Sequence, residues 1–240
     1  MNKFWQFARN ETGERELRLD GVIIDDDFFA WLFGGETPNK FREELNSGEG
    51  DITVWINSEG GNTFAAAQIY NMLKDYRWKV TIKIDALAAS AASVIAMAGD
   101  EVEISPVGMI MIHNPWLHTQ GDAEEMKTAA RFLEDVKESI INAYELKTKL
   151  SRKQLAQMMD DETWLHAQKA VDLGFADKII GAENQTAGNF SARNISSRRQ
   201  VMNCMAKAFK AKREAENRNA TVNKRNKAAQ LYERLKCLKH

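Results

Sequence analysis

The sequence has 240 residues, of which 33 are basic and 34 are acidic, so the formal net charge is −1. Hydrophobic residues make up 44% and charged residues 28%, which excludes collagen-like, disulfide-scaffold and wholly disordered chains. The charge is unevenly divided, because residues 186–240 hold 14 basic and only 3 acidic side chains. We therefore expect an acidic folded domain over 1–185 and a basic, partly helical or disordered C-terminal extension over 186–240.

Several signals that the sequence lacks bear on where the protein is located and whether it binds a cofactor. The first 21 residues have no apolar stretch of the signal-peptide type. The longest run of uncharged small and apolar residues, 86–99, is 14 residues long, short of the roughly 20 that span a bilayer. Cys204 and Cys237 have neither the spacing of a metal site nor a disulfide framework. We expect a cytoplasmic protein with no membrane segment, metal or cofactor.

The predicted elements alternate between strands and helices along the chain. Alternating or β-branched residues predict strands over 16–24, 51–57, 78–84, 102–105, 109–113 and 175–180. Helical spacing and capping signals predict helices over 37–45, 64–76, 85–99 and 121–150, one opening at 151, and one over 164–174. Strand, glycine turn, helix and strand form a βαβ unit, which implies an α/β fold with a parallel sheet and right-handed crossovers.

The helix over 121–150 is unusually long and has one apolar side. Asp122 and Glu125 have the spacing of a capping box. The apolar stripe consists of Met126, Ala129, Leu133, Val136, Ile140 and Ala143. Such a stripe is expected to bury itself either within the chain or against another subunit.

The segment IDALAASAASVIAMAGD, over 84–100, suggests a nucleophile. A strand ends there, small residues permit a sharp turn, and Ser90 stands where a helix begins. A nucleophilic serine needs an unobstructed hydroxyl, and the N–H groups of a helix start can stabilise an oxyanion. The alternative is that the alanines only allow close helix packing. Ser93, three residues further on, is expected to be a packing serine whose replacement leaves nucleophile labelling intact.

Three further segments support the catalytic interpretation: INSEGG over 56–61, MIHNPW over 111–116 and DDETWLHAQKAVDLGFADKI over 160–179. Together with the Ser90 segment, in this order, they resemble the proteolytic subunit of the Clp serine protease family. The similarity covers about 17–180 and is closest to the phage and prophage branch of head-maturation (prohead) proteases. Four segments with their spacing are a far more specific signal than any one alone.

The resemblance implies a fold and a site. The fold is a spiral of βαβ units, shared with crotonase-like proteins, with a long handle helix. Ser90 matches the nucleophile, His113 matches the general base, and the backbone N–H groups of Gly61 and Ala91 match the oxyanion hole. Glu59 stands where the family has a proline before the paired glycines, which bears on the strand edge where a peptide docks.

The third catalytic residue is less clearly defined. The family has an aspartate there, and a gapless comparison over 151–180 places Glu162 at that position. Asp161 is the competing acid, and a Ser–His dyad without an orienting acid is the other alternative. His118, His166 and His240 match nothing in the family and are expected to be structural.

The resemblance implies a serine endopeptidase working inside stacked, homo-oligomeric rings, in phage or prophage head maturation. A housekeeping Clp subunit paired with an ATP-driven unfoldase is one alternative, and an inactive assembly or scaffold relative is another. The sequence has no phosphate-binding loop, so ATP dependence would come from a partner. Capsid or scaffold proteins are possible partners of the extension. Nucleic acid is disfavoured, because the extension lacks the interleaved aromatic residues of a base-stacking surface.

Overall fold

A computed structural model describes residues 4–23 and 37–182 of the chain. The strands are β1 (Trp5–Arg9), β2 (Arg15–Ile23), β3 (Ile52–Gly61), β4 (Val80–Ala89), β5 (Glu101–Ile104), β6 (Met109–Ile112), β7 (Thr163–His166) and β8 (Lys178–Ile179). The helices are α1 (Thr37–Asn46), α2 (Thr63–Lys74), α3 (Ala91–Ala96), α4 (Ala123–Thr148), α5 (Arg152–Asp160) and α6 (Ala167–Asp172). The expectations for the extension over 186–240 lie outside the described residues, as does His240.

The strands form one mixed sheet around a parallel centre. Strands β2, β3 and β4 are parallel neighbours, β5 and β8 continue the parallel order, and β1 pairs with β2 in antiparallel fashion. The first half of β4 pairs with β5, whereas its last three residues pair with β6. Strand β7 then runs antiparallel to β6. The predicted α/β fold with βαβ units is confirmed, and β4 is the strand that joins its two parts.

Alternation of side chains along the central strands builds the core. In β3, Ile52, Val54 and Ile56 are essentially inaccessible to solvent, and Ile82 and Ile84 of β4 are equally buried. Each such side chain contributes about 1.5–3 kcal/mol through removal of its apolar surface from water. The ends of these strands are thereby fixed against the helices that follow them.

Helix α4 is capped as the sequence predicts. Asp122 accepts hydrogen bonds from the N–H groups of Glu124 and Glu125, and the Glu125 carboxylate accepts one from the Asp122 N–H at 2.8 Å. Its apolar stripe, however, divides into two parts. Val136 and the apolar residues after it on the stripe are buried, whereas Met126 is 38% exposed. The first half of α4 therefore presents apolar surface that residues 4–23 and 37–182 leave exposed.

Two segments predicted to be helical are strands in part. Residues 85–89 continue β4, and residues 87–89 pair with β6, so the helix predicted over 85–99 begins only at Ala91. Residues 163–166 form β7 instead of the start of a helix, because they pair with β6 on its other side. Pairing with a distant strand outweighs local helical spacing at both places. No helix among residues 4–23 and 37–182 is long and apolar enough to span a bilayer.

Candidate active site

Ser90 occupies a strained turn between β4 and α3. Its backbone angles are φ 54° and ψ −124°, a region that costs a residue with a side chain about 1–3 kcal/mol. The Ser90 N–H donates a hydrogen bond to the Met111 carbonyl at 2.9 Å, which ties the turn to β6. The side chain is only partly buried. The turn thus presents the hydroxyl at the carboxyl end of the central strand, as the sequence predicts.

The glycine pair at the end of β3 makes room for this turn. Gly60 has φ +94°, and a Cβ atom placed on it would lie 2.6 Å from the Ala89 carbonyl oxygen and 2.7 Å from the Ser90 Cβ. Gly61 pairs with Ile23 and has φ +147°. The strand continues through both glycines, where a tight turn was predicted. Only glycine permits this approach of β3 to Ser90.

His113 lies next to Ser90 because of strand register. Ala89 pairs with Met111, so Ser90 and His113 lie at the same edge of the sheet, one and two residues beyond that pair. The His113 Nε2 atom is 2.7 Å from the Ser90 Oγ atom, a good hydrogen-bond distance. Burial lowers the pKa of His113, while the charge of Glu162 opposes that shift. The imidazole is therefore mainly neutral at neutral pH, which is the form that can accept the serine proton.

The negative charge of Glu162 raises the pKa of His113, but the Glu162 carboxylate is hydrogen-bonded to Trp164 and not to His113. Its backbone has φ 47°, and its Oε1 atom accepts a hydrogen bond from the Trp164 indole N–H at 3.3 Å. Within residues 4–23 and 37–182, no hydrogen bond joins Glu162 to His113. Asp161, the competing acid, accepts a hydrogen bond from the Gln157 side chain at 3.1 Å.

A carboxylate that the sequence analysis did not single out links the two segments of the site. The Asp160 Oδ1 atom accepts hydrogen bonds from the Asn114 side-chain amide at 2.8 Å and from the Lys137 ammonium at 2.5 Å. These contacts lower the pKa of Asp160, the Lys137 bond contributing most. The residue after His113, helix α4 and the segment that bears Glu162 are thereby connected. No short-range pattern signals this link, because its members are far apart in sequence.

The two N–H groups expected to form the oxyanion hole belong to Ala91, directly after Ser90, and to Gly61, at the end of β3. Ala91 is the first residue of α3, and an N–H at that position has no acceptor within its own helix. The Ala91 nitrogen would be 2.9 Å from a Cβ atom on Gly60, so it faces the glycine pair of β3 that also supplies Gly61. The two donors therefore come from neighbouring chain segments.

The other candidates have structural contacts. Ser93 is fully buried, and its hydroxyl contacts the Ser90 carbonyl and the Tyr144 hydroxyl. His166 caps α6 by accepting a hydrogen bond from the Lys169 N–H, and His118 packs edge-on against Trp116. In the described part of the chain, no cluster of three or more His, Cys, Asp or Glu residues has the geometry to hold a metal ion. Fold and site together define an α/β protein of βαβ units with a Ser–His pair at a strand-to-helix turn.

Comparison with known proteins places the chain in a family. The model of the Clp protease family matches residues 43–183, more than half of the chain. The chain belongs to the Clp protease family. It is 30% identical over 132 residues to the ATP-dependent Clp protease proteolytic subunit of Porphyromonas gingivalis strain W83, a match covering 54% of this chain and 60% of the relative.

Two Bacteroides relatives with the same name give similar matches. The Bacteroides fragilis protein is 30% identical over 132 residues, covering 54% of this chain and 64% of the relative. The Bacteroides thetaiotaomicron protein is 29% identical over 132 residues, covering 54% of this chain and 60% of the relative. The matches thus span less than two thirds of these curated relatives.

Proposed function

We propose that this chain is a serine endopeptidase of the Clp proteolytic-subunit type, with Ser90 as nucleophile and His113 as general base. The observation that carries the proposal is the 2.7 Å contact between Ser90 Oγ and His113 Nε2, made at a turn with positive φ. Energetically costly backbone of this kind is concentrated at functional sites. The names of the relatives point to the same activity.

The chemistry follows the serine acyl-transfer scheme. His113 Nε2 accepts the Ser90 proton as Oγ attacks the carbonyl carbon of a peptide bond, and the carbonyl π electrons move onto oxygen. The N–H groups of Gly61 and Ala91 stabilise that oxyanion. Protonated His113 then donates its proton to the leaving amine, and the C–N bond breaks to give an acyl-enzyme. Water, deprotonated by His113, attacks the ester carbonyl. The bond from that carbon to Ser90 Oγ then breaks as His113 returns the proton to Oγ, which releases the acid and the free Ser90 hydroxyl.

We assign the orienting acid to Glu162. Its charge acts on His113, whereas the Asp161 carboxylate is bonded to Gln157 on the preceding helix. In the active form, a rotation of the Glu162 side chain away from Trp164 brings its carboxylate to His113 Nδ1–H. Such a bond fixes the tautomer in which Nε2 is free to accept the serine proton. The present bond from Trp164 to Glu162 favours the alternative of an unaligned, inactive relative.

A fluorophosphonate probe separates these alternatives, because it phosphonylates only an activated serine. We expect the full-length protein to be labelled and Ser90→Ala to be unlabelled. Ser139→Ala, which removes an exposed hydroxyl on α4, is the matched control and should be labelled like the wild type. Absence of labelling in the wild-type assembly would reject the peptidase and favour an inactive scaffold protein.

For the quaternary structure we propose stacked homo-oligomeric rings in which the first half of α4 forms the contact. Met126 is 38% exposed and Phe132 46% exposed, and the Phe132 ring stacks on Phe64 at 6.1 Å. Exposed apolar side chains grouped on one helix are typical of a subunit interface. The domains proposed are the protease over 1–185 and the basic extension over 186–240.

For the biological role we propose phage or prophage head maturation in the cytoplasm of the bacterial host or phage-infected cell, with capsid or scaffold proteins as substrates. The support is the resemblance of the four motif segments to that branch. The names of the relatives favour instead a housekeeping subunit that works with an ATP-dependent unfoldase. Degradation of a stably folded substrate only with an added unfoldase and ATP supports the housekeeping role. ATP-independent cleavage of capsid or scaffold protein supports maturation.

A further inference from the structure

Two buried hydroxyl groups lie directly behind the nucleophile turn. The Ser93 Oγ atom is 2.5 Å from the Ser90 carbonyl oxygen and 2.8 Å from the Tyr144 hydroxyl. Ser93 is fully buried and Tyr144 is 1% exposed. Neither group faces the Ser90 hydroxyl or His113, so the acyl-transfer scheme above gives them no role.

The direction of these hydrogen bonds is set by the groups themselves. A carbonyl oxygen only accepts, so the single Ser93 hydroxyl proton is donated to the Ser90 carbonyl. The Ser93 oxygen is then available only as an acceptor towards its other neighbour, so the Tyr144 hydroxyl donates to it. Burial raises the pKa of Tyr144, which keeps the phenol protonated and able to donate. The chain of donation runs from Tyr144 through Ser93 to Ser90.

The Ser90 carbonyl belongs to the same peptide unit as the Ala91 N–H. Because that unit is planar and trans, its C=O and N–H point in opposite directions, and fixing one fixes the other. The Ser93 N–H donates to the same carbonyl at 3.0 Å, so this oxygen accepts two hydrogen bonds. Hydrogen bonds in series also polarise one another, which makes the N–H at the far end a stronger donor.

We propose that Ser93 and Tyr144 are positioning residues that orient and polarise the Ala91 N–H for the oxyanion. This inference rests on the proposed peptidase function, because the oxyanion forms only during acyl transfer. Tyr144 acts through Ser93, and Ser93 acts through the peptide unit between Ser90 and Ala91. The two hydroxyls therefore affect the transition state and leave ground-state binding unchanged.

The test measures the inactivation rate constant, kinact, and the binding constant, KI, for a fluorophosphonate on full-length variants. Ser93→Ala should still be labelled on Ser90, as expected from the sequence, but more slowly. Its kinact should fall by about 10-fold, less than the 100- to 1,000-fold typical of losing an oxyanion donor altogether, with KI unchanged. Tyr144→Phe should lower kinact by a smaller factor. The double variant should be no slower than Ser93→Ala, because the two groups act in series. The pH midpoint of labelling should stay unchanged, since His113 is not affected.

Tyr76→Phe is the matched control for the loss of a tyrosine hydroxyl. The Tyr76 hydroxyl donates to the Gly50 carbonyl at 2.9 Å, at the end of the strands opposite to Ser90. It should lower the melting temperature without changing kinact. Tyr144→Phe keeps the aromatic ring that packs on Phe175, so we expect this variant to fold. If Ser93→Ala fails to fold, the kinact of Tyr144→Phe alone tests the positioning role.

Three results would overturn the inference. The first is a wild-type kinact in both Ser93→Ala and Tyr144→Phe, and the second is a double-variant loss of kinact equal to the product of the two single losses. The third is a loss of kinact in Tyr76→Phe as large as that in Tyr144→Phe. A wild-type protein that does not label at all rejects the peptidase function instead. The two failures are therefore distinguishable.

Discussion

The position of the Ser90 turn depends on the absence of a side chain at Gly60. A methyl group on it would meet the Ala89 carbonyl at 2.6 Å, and the positive φ adds strain. We expect Gly60→Ala to displace the Ser90 turn and abolish fluorophosphonate labelling. It should also lower the free energy of unfolding by about 1–3 kcal/mol. The control is Gly50→Ala, which has a similar φ of +97° but nothing within 4 Å of the added Cβ. Wild-type labelling of Gly60→Ala would contradict the placement of β3 against Ser90.

The pH dependence of labelling tests the role of Glu162. Burial lowers the pKa of His113 below its ordinary value of 6.5, and only the neutral imidazole accepts the serine proton. The labelling rate should therefore fall as the pH drops through a midpoint below 6.5. Because the Glu162 charge raises this pKa, Glu162→Gln should move the midpoint to still lower pH and reduce the plateau.

Asp161→Asn is the matched control for that experiment. It removes a charge one residue away, on a carboxylate bonded to Gln157, and should leave the midpoint in place. If Asp161→Asn shifts the pH midpoint of labelling and Glu162→Gln does not, then Asp161 is the orienting acid and the assignment to Glu162 is wrong.

At the scale of elements, Arg15 fastens α1 to the sheet. It is 7% exposed, and its guanidinium donates to the carbonyls of Glu44, Leu45 and Gly48 near the end of that helix. Arg15→Met keeps most of the packing but leaves these acceptors unsatisfied, so we expect a loss of about 3 kcal/mol in chemical unfolding. Arg18→Met, on the exposed face of the same strand, should cost less than about 1 kcal/mol. Equal losses would contradict this role of Arg15.

The elements also show how far the sequence predicts the fold. Capping boxes and hydrophobic periodicity place both ends of α4 and the start of α5 to within about two residues, because these signals are local. The strand over 85–89 and strand β7 were predicted as helix, because their partner β6 is distant in sequence and invisible to a local pattern. The Ser90–His113 contact follows from that same pairing, so the family motifs indicated it while periodicity did not.

At the scale of the whole molecule, the exposed apolar side chains on the first half of α4 predict that subunits assemble into an oligomer. We expect the wild-type protein to sediment as a large oligomer at micromolar concentration and Met126→Glu to shift it to smaller species, because the charge would enter an apolar contact. Arg131→Glu puts a carboxylate on the exposed side of the helix that points away from both Met126 and Phe132, and it should leave the assembly intact. A monomeric wild type would contradict the ring proposal.

The most direct measurement of the catalytic proposal is peptide mapping by mass spectrometry of the full-length protein after reaction with a fluorophosphonate. The Ser90 hydroxyl contacts the His113 imidazole at 2.7 Å, whereas the buried Ser93 hydroxyl donates to the Ser90 carbonyl. We predict a single phosphonyl adduct on Ser90 that disappears when His113→Ala is treated in the same way. An adduct on Ser93, or labelling that survives the loss of His113, would contradict the proposed mechanism.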